Sequence, residues 1–506
     1  MFWADRIAQE LKNAGPQWVD DMKTPSGRIH VGALRGVIIH DLVFRAFKDL
    51  KVKAKYSYVI DNHDPMDSLP VYLDQKKYAP YIGVPLNKIP APDGSKKSFA
   101  QYFAEEFIDV FKKLGANPEI IWAWDLYTSG KMDDAIKIAL DNAEKIQDIY
   151  QKVSGSKKKE TGWYPFQVIC QKCGKVGTTK VTAWDGKEVS YECLLDLVKW
   201  AKGCSHKGKI SPFSGTGKLP WKVEWPAVWR TLGITVEGEG KDLASRGGAR
   251  DTAGEICRQI FKIRLPYDIP YEHFLIGGKK MSTSRGFGAS ASEMAEILPP
   301  EILRFLMVKT NYREAINFDP QGETIPHLFD EYDRCAQEFF SKGNPEMARI
   351  FELSQIDSQK LKRPPTVRFS QLTQWIQMPN LTPKLKEPAI AERVRYAKIW
   401  LEKYAPEEKK FSIRENLPKE AKVLSSRQKD LLLKIGQELT KKWGAEEFQN
   451  RIYQVGKDLN LSSTETFQAI YLALLGKDHG PKASWLILSL EKNFVQKRFK
   501  EAAKNI

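Results

Sequence analysis

Residues 18–50 read WVDDMKTPSGRIHVGALRGVIIHDLVFRAFKDL, and three physical patterns succeed one another in them. Trp18–Met22 is a short strand-like run, and Thr24-Pro25-Ser26-Gly27 is a glycine-bearing turn. From there Leu34, Val37, Ile38, Leu42, Val43, Ala46, Phe47 and Leu50 recur every three to four residues, which predicts a helix from about 32 to 50 with one buried stripe. Working outward, Lys53–Ile60 (KAKYSYVI) reads as a second strand and Glu119–Trp124 as a third, after a helix that ends near Leu114. Strands alternating with helices build a parallel sheet, so the expected fold class is α/β. Ligands of such sheets bind beyond the carboxyl ends of the strands, which directs attention to the segments just after Met22, Ile60 and Trp124.

The composition narrows the partner. The chain has 506 residues, 79 Lys and Arg against 63 Asp and Glu, a formal charge of +16 and an isoelectric point near 9.2. A polyanion is the natural complement of that balance. The excess is regional: residues 351–506 hold 29 Lys and Arg against 18 Asp and Glu, or +11. Chemistry in front and a polyanion-holding module behind is the expected arrangement. A hydrophobic content of 42% with 11% aromatics supports packed cores and excludes wholesale disorder. Mean hydropathy is −0.45 and no window approaches 18 uncharged apolar residues, which excludes an apolar membrane span. The start, MFWADRIAQEL, lacks the apolar run of a secretory signal, so the chain is expected in the cytoplasm.

Composition shifts divide the chain. Residues 1–150 form the first half of a catalytic domain, and 151–218, rich in turn signals, form a small insertion. The α/β pattern returns over 219–298, 299–350 is a helical connector, and 351–506 is an α-helical domain broken by prolines between 354 and 420. Four of the six cysteines fall in the insertion as Cys170-x2-Cys173, Cys193 and Cys204-Ser205-His206. In a reducing compartment that cluster predicts a structural zinc ion held by Cys170, Cys173, Cys193 and Cys204, with spacing alone leaving His206 open as an alternative to Cys193.

Two segments are suited to phosphate. Gly27 and Gly32 allow close backbone approach, and His30 lies next to a helix N-terminus, where unpaired N–H groups favour an anion and an imidazole can donate to a phosphate oxygen. Neither G-x-G-x-x-G nor G-x-x-x-x-G-K-[ST] occurs. Some 250 residues later, Gly277-Gly278-Lys279-Lys280-Met281-Ser282-Thr283-Ser284-Arg285-Gly286 combines glycines, hydroxyls and cations that could fold over a triphosphate.

P-S-G-x-x-H-V-G followed at that distance by K-M-S-T-S resembles the paired signatures of class I aminoacyl-tRNA synthetases. Within that class the chain is most similar to the class I lysyl-tRNA synthetases. The further residues carrying the likeness are VEWPAVWRTLGITVEGEGKD at 223–242, Tyr271-Glu272-His273-Phe274 and FQAIYLALLGKDHGPKASWL near the end. The resemblance implies a Rossmann-type catalytic domain, a zinc-binding insertion, an all-α anticodon-binding domain and a monomer. It implies activation of L-lysine with ATP and Mg2+ and transfer to the terminal adenosine of tRNA(Lys). His30 and Lys280 become the expected catalytic residues. Pro25, Ser26, Gly27, His30, Gly32, Gly240, Asp242, Lys280, Met281, Ser282 and Ser284 are expected at ATP. Three positions depart from the family pattern: Ala33 replaces the second histidine of the first signature, Thr283 the middle lysine of the second, and Leu243 a histidine after Asp242.

A lysine substrate carries an ammonium on a four-carbon stem, so its pocket should combine a carboxylate with apolar walls. Asp61, Asn62, Asp64 and Asp67 follow a strand end, and Trp225, Trp229 and Tyr271 could line the stem. The expected lysine-binding set is Thr24, Asp61, Asp64, Trp225 and Tyr271. The competing readings are a class I synthetase for glutamate, glutamine or cysteine, a tRNA-binding protein without aminoacylation, and a small-molecule nucleotidylyltransferase.

Overall fold

The computed structural model describes residues 1–155, 162–280, 289–357, 361–378 and 384–504, with backbone alone at 279, 280 and 384. The stretch read first forms strand β1 (Gln17–Lys23) and helix α1 (Val31–Asp49). β1 pairs in parallel with β2 (Ala54–Ile60), in register from Gln17 opposite Ala54 to Lys23 opposite Ile60. β2 in turn pairs with β3 (Glu119–Trp122). On its other side β1 pairs with β4 (Val236–Glu237), and β4 with β5 (Tyr267–Asp268). The sheet order is therefore β5-β4-β1-β2-β3, all parallel. The direction of progression reverses between β1 and β4, the place where doubly wound sheets bind their ligands.

Two expectations need correction. β3 stops at Trp122 rather than Trp124, because the Trp124 N–H donates to Asn62 Oδ1 (2.9 Å) as a helix begins at Ala123. The predicted stripe of α1 is buried apart from half-exposed Leu50, but Arg35, Gly36, Ile39, His40 and Asp41 are buried as well. The helix is enclosed on nearly all sides, which a single stripe does not convey. Its polar members have partners inside the fold, with only Arg35 Nε lacking a hydrogen bond among the described residues. Arg35 donates to the carbonyls of Glu272 (2.8 Å), His273 (3.0 Å), Asn311 (2.9 Å) and Glu314 (2.6 Å), and Asp41 pairs with Arg45 and Arg304. Burying a guanidinium is tolerable only with such acceptors.

The insertion contains an antiparallel sheet of Thr179–Trp184, Val189–Cys193 and Lys207–Ile210, beside a pairing of Gln167–Val168 with Gly217–Lys218. Helix α2 (Trp221–Leu232) follows, and helix α3 (Ala249–Ile256) lies between β4 and β5 in the chain. No described helix is long and apolar enough to cross a membrane.

The chain divides into two compact units, residues 1–318 with 335–362, and 319–334 with 363–506. The second is helical, and among the described residues it contains no strand. Its core joins Leu431, Leu432, Ile435, Phe448, Ile452, Ile470, Leu474 and Phe499. Capping boxes at Ser425/Gln428 and Ser462/Glu465 set the starts of two of its helices. Tyr471 belongs to that core, whereas Tyr453 is half exposed and Trp485 stacks on Trp375 at 6.2 Å.

Candidate active site

A cleft of about 520 Å³ opens at the carboxyl ends of β1 and β4. Thr24, His30, Gly32, Asp61, Asp64, Trp225, Gly240, Asp242 and Tyr271 all line it, as do the two departures Ala33 and Leu243. Segments after Met22 and Ile60 contribute as expected. The segment after Trp124 does not, because β3 is the far edge of the sheet from the reversal point. Pro25, Ser26 and Gly27 belong to the turn behind His30 and are not among the lining residues. Met281, Ser282 and Ser284 lie outside the described residues, and so does the Lys280 side chain, whose backbone forms a short strand with Lys279 opposite Phe274–Ile276.

His30 sits in extended conformation immediately before α1. It makes an antiparallel bridge with Ser290, with Val31 N–H donating to Ala289 O (3.2 Å) and Ala291 N–H to Ile29 O (3.0 Å). The chain that leaves the second signature thus returns beside the first. His30, Gly32 and Ala33 line the cleft where α1 begins, and a helix N-terminus is a favourable setting for phosphate.

The cleft is also acidic, in two distinct groups. Asp61, Asp64 and Glu224 surround the ammonium of Lys218, which is 1% exposed. Lys218 Nζ stands 3.1 Å from Asp61 Oδ2, 2.9 Å from Glu224 Oε2, and against Asp64 Oδ1. Thr24 Oγ1 donates to the other oxygen of Asp64 (2.9 Å). Burial works against the Lys218 charge, but the three carboxylates outweigh it and hold its pKa well above the ordinary value. Asp61 and Asp64, expected to meet a substrate ammonium, already hold one from the chain itself. Sequence reading missed Lys218, since its aspartate partners lie more than 150 residues away.

The second group is Asp21, Glu237 and Glu239, each buried and lining the cleft. Burial raises Asp21 and Glu237 to about 7 and Glu239 to about 9. Trp225 Nε1 donates to Glu237 Oε1 (2.7 Å) and Trp229 Nε1 to Oε2, so Trp229 supports the wall from behind instead of lining it. His40 spans the floor: its Nδ1 lies 2.7 Å from Gly36 O, and its Nε2 accepts from Gly238 N–H (2.8 Å). That second bond leaves Nδ1 as the protonated nitrogen of a neutral ring, and burial lowers the His40 pKa accordingly. Gly36 was not legible as a site residue either. A Cβ there would stand 2.7 Å from the Tyr271 hydroxyl and 2.9 Å from Asp21 Oδ2. If the cleft takes the lysine expected from the sequence, Gly36→Ala should raise its KM roughly 10-fold by displacing both groups, an effect of about 1.4 kcal/mol. Steady-state kinetics with an unchanged KM would show that the floor yields freely.

In the insertion the sulfurs of Cys170, Cys173, Cys193 and Cys204 all lie within 4.8 Å of one another. The pairs Cys170–Cys204 and Cys173–Cys193 are 3.6 and 3.7 Å apart. A tetrahedron of thiolates around zinc has edges of about 3.8 Å, so the donor set fits that ion. Gly174 (φ +71°) turns the chain after the first pair, and the Cys204 N–H (3.3 Å) and Thr178 hydroxyl (3.3 Å) both reach the Cys193 sulfur. Among the described residues His206 is not part of the group. Its carbonyl accepts from Cys193 N–H (2.8 Å), which leaves Cys193 as the fourth member.

A parallel sheet with a cleft at its reversal point, lined by the start of a helix and by buried carboxylates, defines an α/β fold of the doubly wound type. Residues 1–357 match the family described as tRNA synthetases class I (K), and the chain belongs to that family. A protein of Methanosarcina acetivorans named lysine–tRNA ligase 1 is 36% identical over 540 residues, covering 99% of this chain and 98% of that protein. A lysine–tRNA ligase of Thermoplasma acidophilum is 33% identical over 523 residues, covering 100% and 99%. Among solved structures, a glutamate tRNA ligase from Elizabethkingia meningosepticum in complex with its amino acid has a TM-score of 0.48 at 12% identity, covering 96% of this chain and 99% of that one.

Proposed function

We propose that this chain is a lysine–tRNA ligase that condenses L-lysine with ATP-Mg2+ to lysyl-adenylate and passes the lysyl group to the terminal adenosine of tRNA(Lys). The observation that carries this reading is the second acidic group. Asp21, Glu237 and Glu239 line one cleft with pKa values raised by burial, so the site gains most from a cationic ligand. A glutamate substrate would meet like charge there.

In-line attack of the substrate carboxylate on the α-phosphate needs no protein nucleophile, so the chain's contribution is positioning and charge neutralisation. The α1 amides and His30 hold phosphate oxygens, with Pro25, Ser26, Gly27 and Gly32 shaping the turn. Gly240 and Asp242 stand at the rim for the ribose, with Asp242 Oδ1 placed 3.2 Å from His273 Nε2. Lys280, with Met281, Ser282 and Ser284, brings charge to the departing diphosphate. Thr24, Trp225 and Tyr271 guide the lysine stem, and Asp61 and Asp64 act on it through Lys218. The four cysteines would hold a structural zinc ion in a cytoplasmic, monomeric protein, and the basic helical unit would grip the anticodon arm.

The test is charging of total tRNA by the purified protein with ATP-Mg2+ and each labelled amino acid in turn. Lysine alone is expected to be transferred, and charging with glutamate or cysteine, or with none, overturns the reading. His30→Ala is expected to lower kcat about 100-fold with the lysine KM little changed, the usual cost of losing one transition-state donor. A kcat within threefold of the parent would remove His30 from the reaction.

A further inference from the structure

Five buried carboxylates, Asp21, Asp61, Glu224, Glu237 and Glu239, line the cleft together with half-buried Asp64, and all but Glu239 take hydrogen bonds within the protein. Asp61, Asp64 and Glu224 share Lys218, and Glu237 takes two indole N–H groups. Asp21 accepts from the Met22 N–H (2.9 Å). Glu239 is different. It is 3% exposed, it lines the cleft, and among the described residues neither of its oxygens accepts a hydrogen bond. Its nearest cation is Arg250 on α3, with Nη1 at 3.4 Å. Among the described residues that guanidinium has one hydrogen bond, from Nη2 to Pro266 O (3.0 Å), and its plane lies over the Trp229 and Trp225 rings at 4.7 and 5.5 Å, so Nη1 keeps ion-pair range of Glu239 without hydrogen-bond geometry. A buried carboxylate with open acceptors is costly unless a donor arrives.

We propose that Glu239 receives the side-chain ammonium of the amino-acid substrate, a role that rests on the lysine reading above. An ammonium brings three donors to acceptors that have none, while Trp225 and Tyr271 flank the methylenes leading to it. The depth decides which end of lysine it meets. The α-amine must stay beside the reacting carboxylate, at the phosphate end with His30, and Asp242 at the rim is half exposed. Glu239 is enclosed, the place for the far end of the chain.

Arg250 from α3, Glu237 from β4 and Asp268 from the end of β5 are the charged groups that act on Glu239. With its pKa at about 9, Glu239 is protonated near pH 7.5 and must lose its proton to pair with an ammonium. Substrate binding is therefore expected to release a proton.

The experiment uses the full chain with tRNA present. Glu239→Gln is expected to raise the lysine KM roughly 30- to 100-fold, with kcat and the ATP KM within threefold, the range for a lost charge-assisted hydrogen bond. Two competitive inhibitors separate the ends of the substrate. 6-Aminohexanoate, which has the far ammonium but no α-amine, is expected to lose potency in the variant as lysine does, and norleucine, which lacks the far ammonium, to keep it. Calorimetry in two buffers of different ionisation enthalpy is expected to show proton release on lysine binding by the parent and none by Glu239→Gln. Glu239→Asp serves as a second variant, retaining part of the affinity. An unchanged lysine KM, equal losses for both inhibitors, or no proton release by the parent would overturn the assignment. A parent protein that does not charge lysine at all would instead overturn the function.

Discussion

Lys218→Met is expected to destabilise the first unit by about 3–5 kcal/mol, the usual consequence of removing one partner from a buried ion cluster. Asp61, Asp64 and Glu224 are at hydrogen-bonding distance from one ammonium at the cleft wall, and without it two buried carboxylates and half-buried Asp64 face one another. Burial pushes all three upward in pKa, and the Lys218 charge opposes it, bringing Asp64 below its ordinary value while Asp61 and Glu224 stay above theirs. In the variant that opposition is gone. Folded-state pKa values above unfolded ones mean that the unfolded chain releases its protons first, so the variant loses stability as pH rises above about 4. The deficit relative to the parent should be larger at pH 8 than at pH 6 in denaturant titrations followed by tryptophan fluorescence. Adding Glu224→Gln should recover part of it. A loss below about 1 kcal/mol, or one independent of pH, would show that the carboxylates relax into solvent.

Stripping zinc with a chelator, or Cys173→Ser, is expected to unfold the insertion while the parallel sheet persists. The three strands between Thr179 and Ile210 bury little of their own, chiefly Val181, Val189 and Tyr191. Structural zinc typically supplies about 10–16 kcal/mol to a module of this kind, far more than such a core. Hydrogen exchange should quicken across Thr179–Ile210 and stay slow across β1, β2 and β4, and metal analysis should fall from one zinc per chain to none. Full charging activity in protein that contains no zinc would refute the assignment. Gly203 is a sensitive second position, since a Cβ there would stand 2.8 Å from the Cys193 sulfur and 2.2 Å from the Leu194 carbonyl.

Local patterns were legible because they are local. β1, α1 and β2 follow from alternation and period over short windows, and the first signature lies at a strand-to-helix turn that any reader of spacing can find. Strand order is not local. Nothing in Val236-Glu237 says that it pairs with Val19, yet that pairing moves the site away from Trp124 and brings Glu237 and Glu239 to the cleft. The same limit hid Lys218 and Arg35. A lysine or arginine in isolation reads as a surface charge, and only the fold assembles the acceptors that make its burial possible. The aspartates after Ile60 were recognised as a cluster, but their partner was invisible for that reason. Gly36 passed as a helix residue because its role is the space it leaves for Tyr271 and Asp21.

The strand order also bears on biosynthesis. β1 is complete by residue 23, but its second neighbour β4 begins at Val236, after the whole insertion has been translated. At usual ribosomal speeds the half-sheet β1-β2-β3 therefore waits on the order of 10 s with the edge of its central strand unpaired. That edge is a template for association between nascent chains. Slower elongation through the insertion lengthens the exposure, so expression yield should respond to codon choice between residues 123 and 235 more than to codon choice after 268.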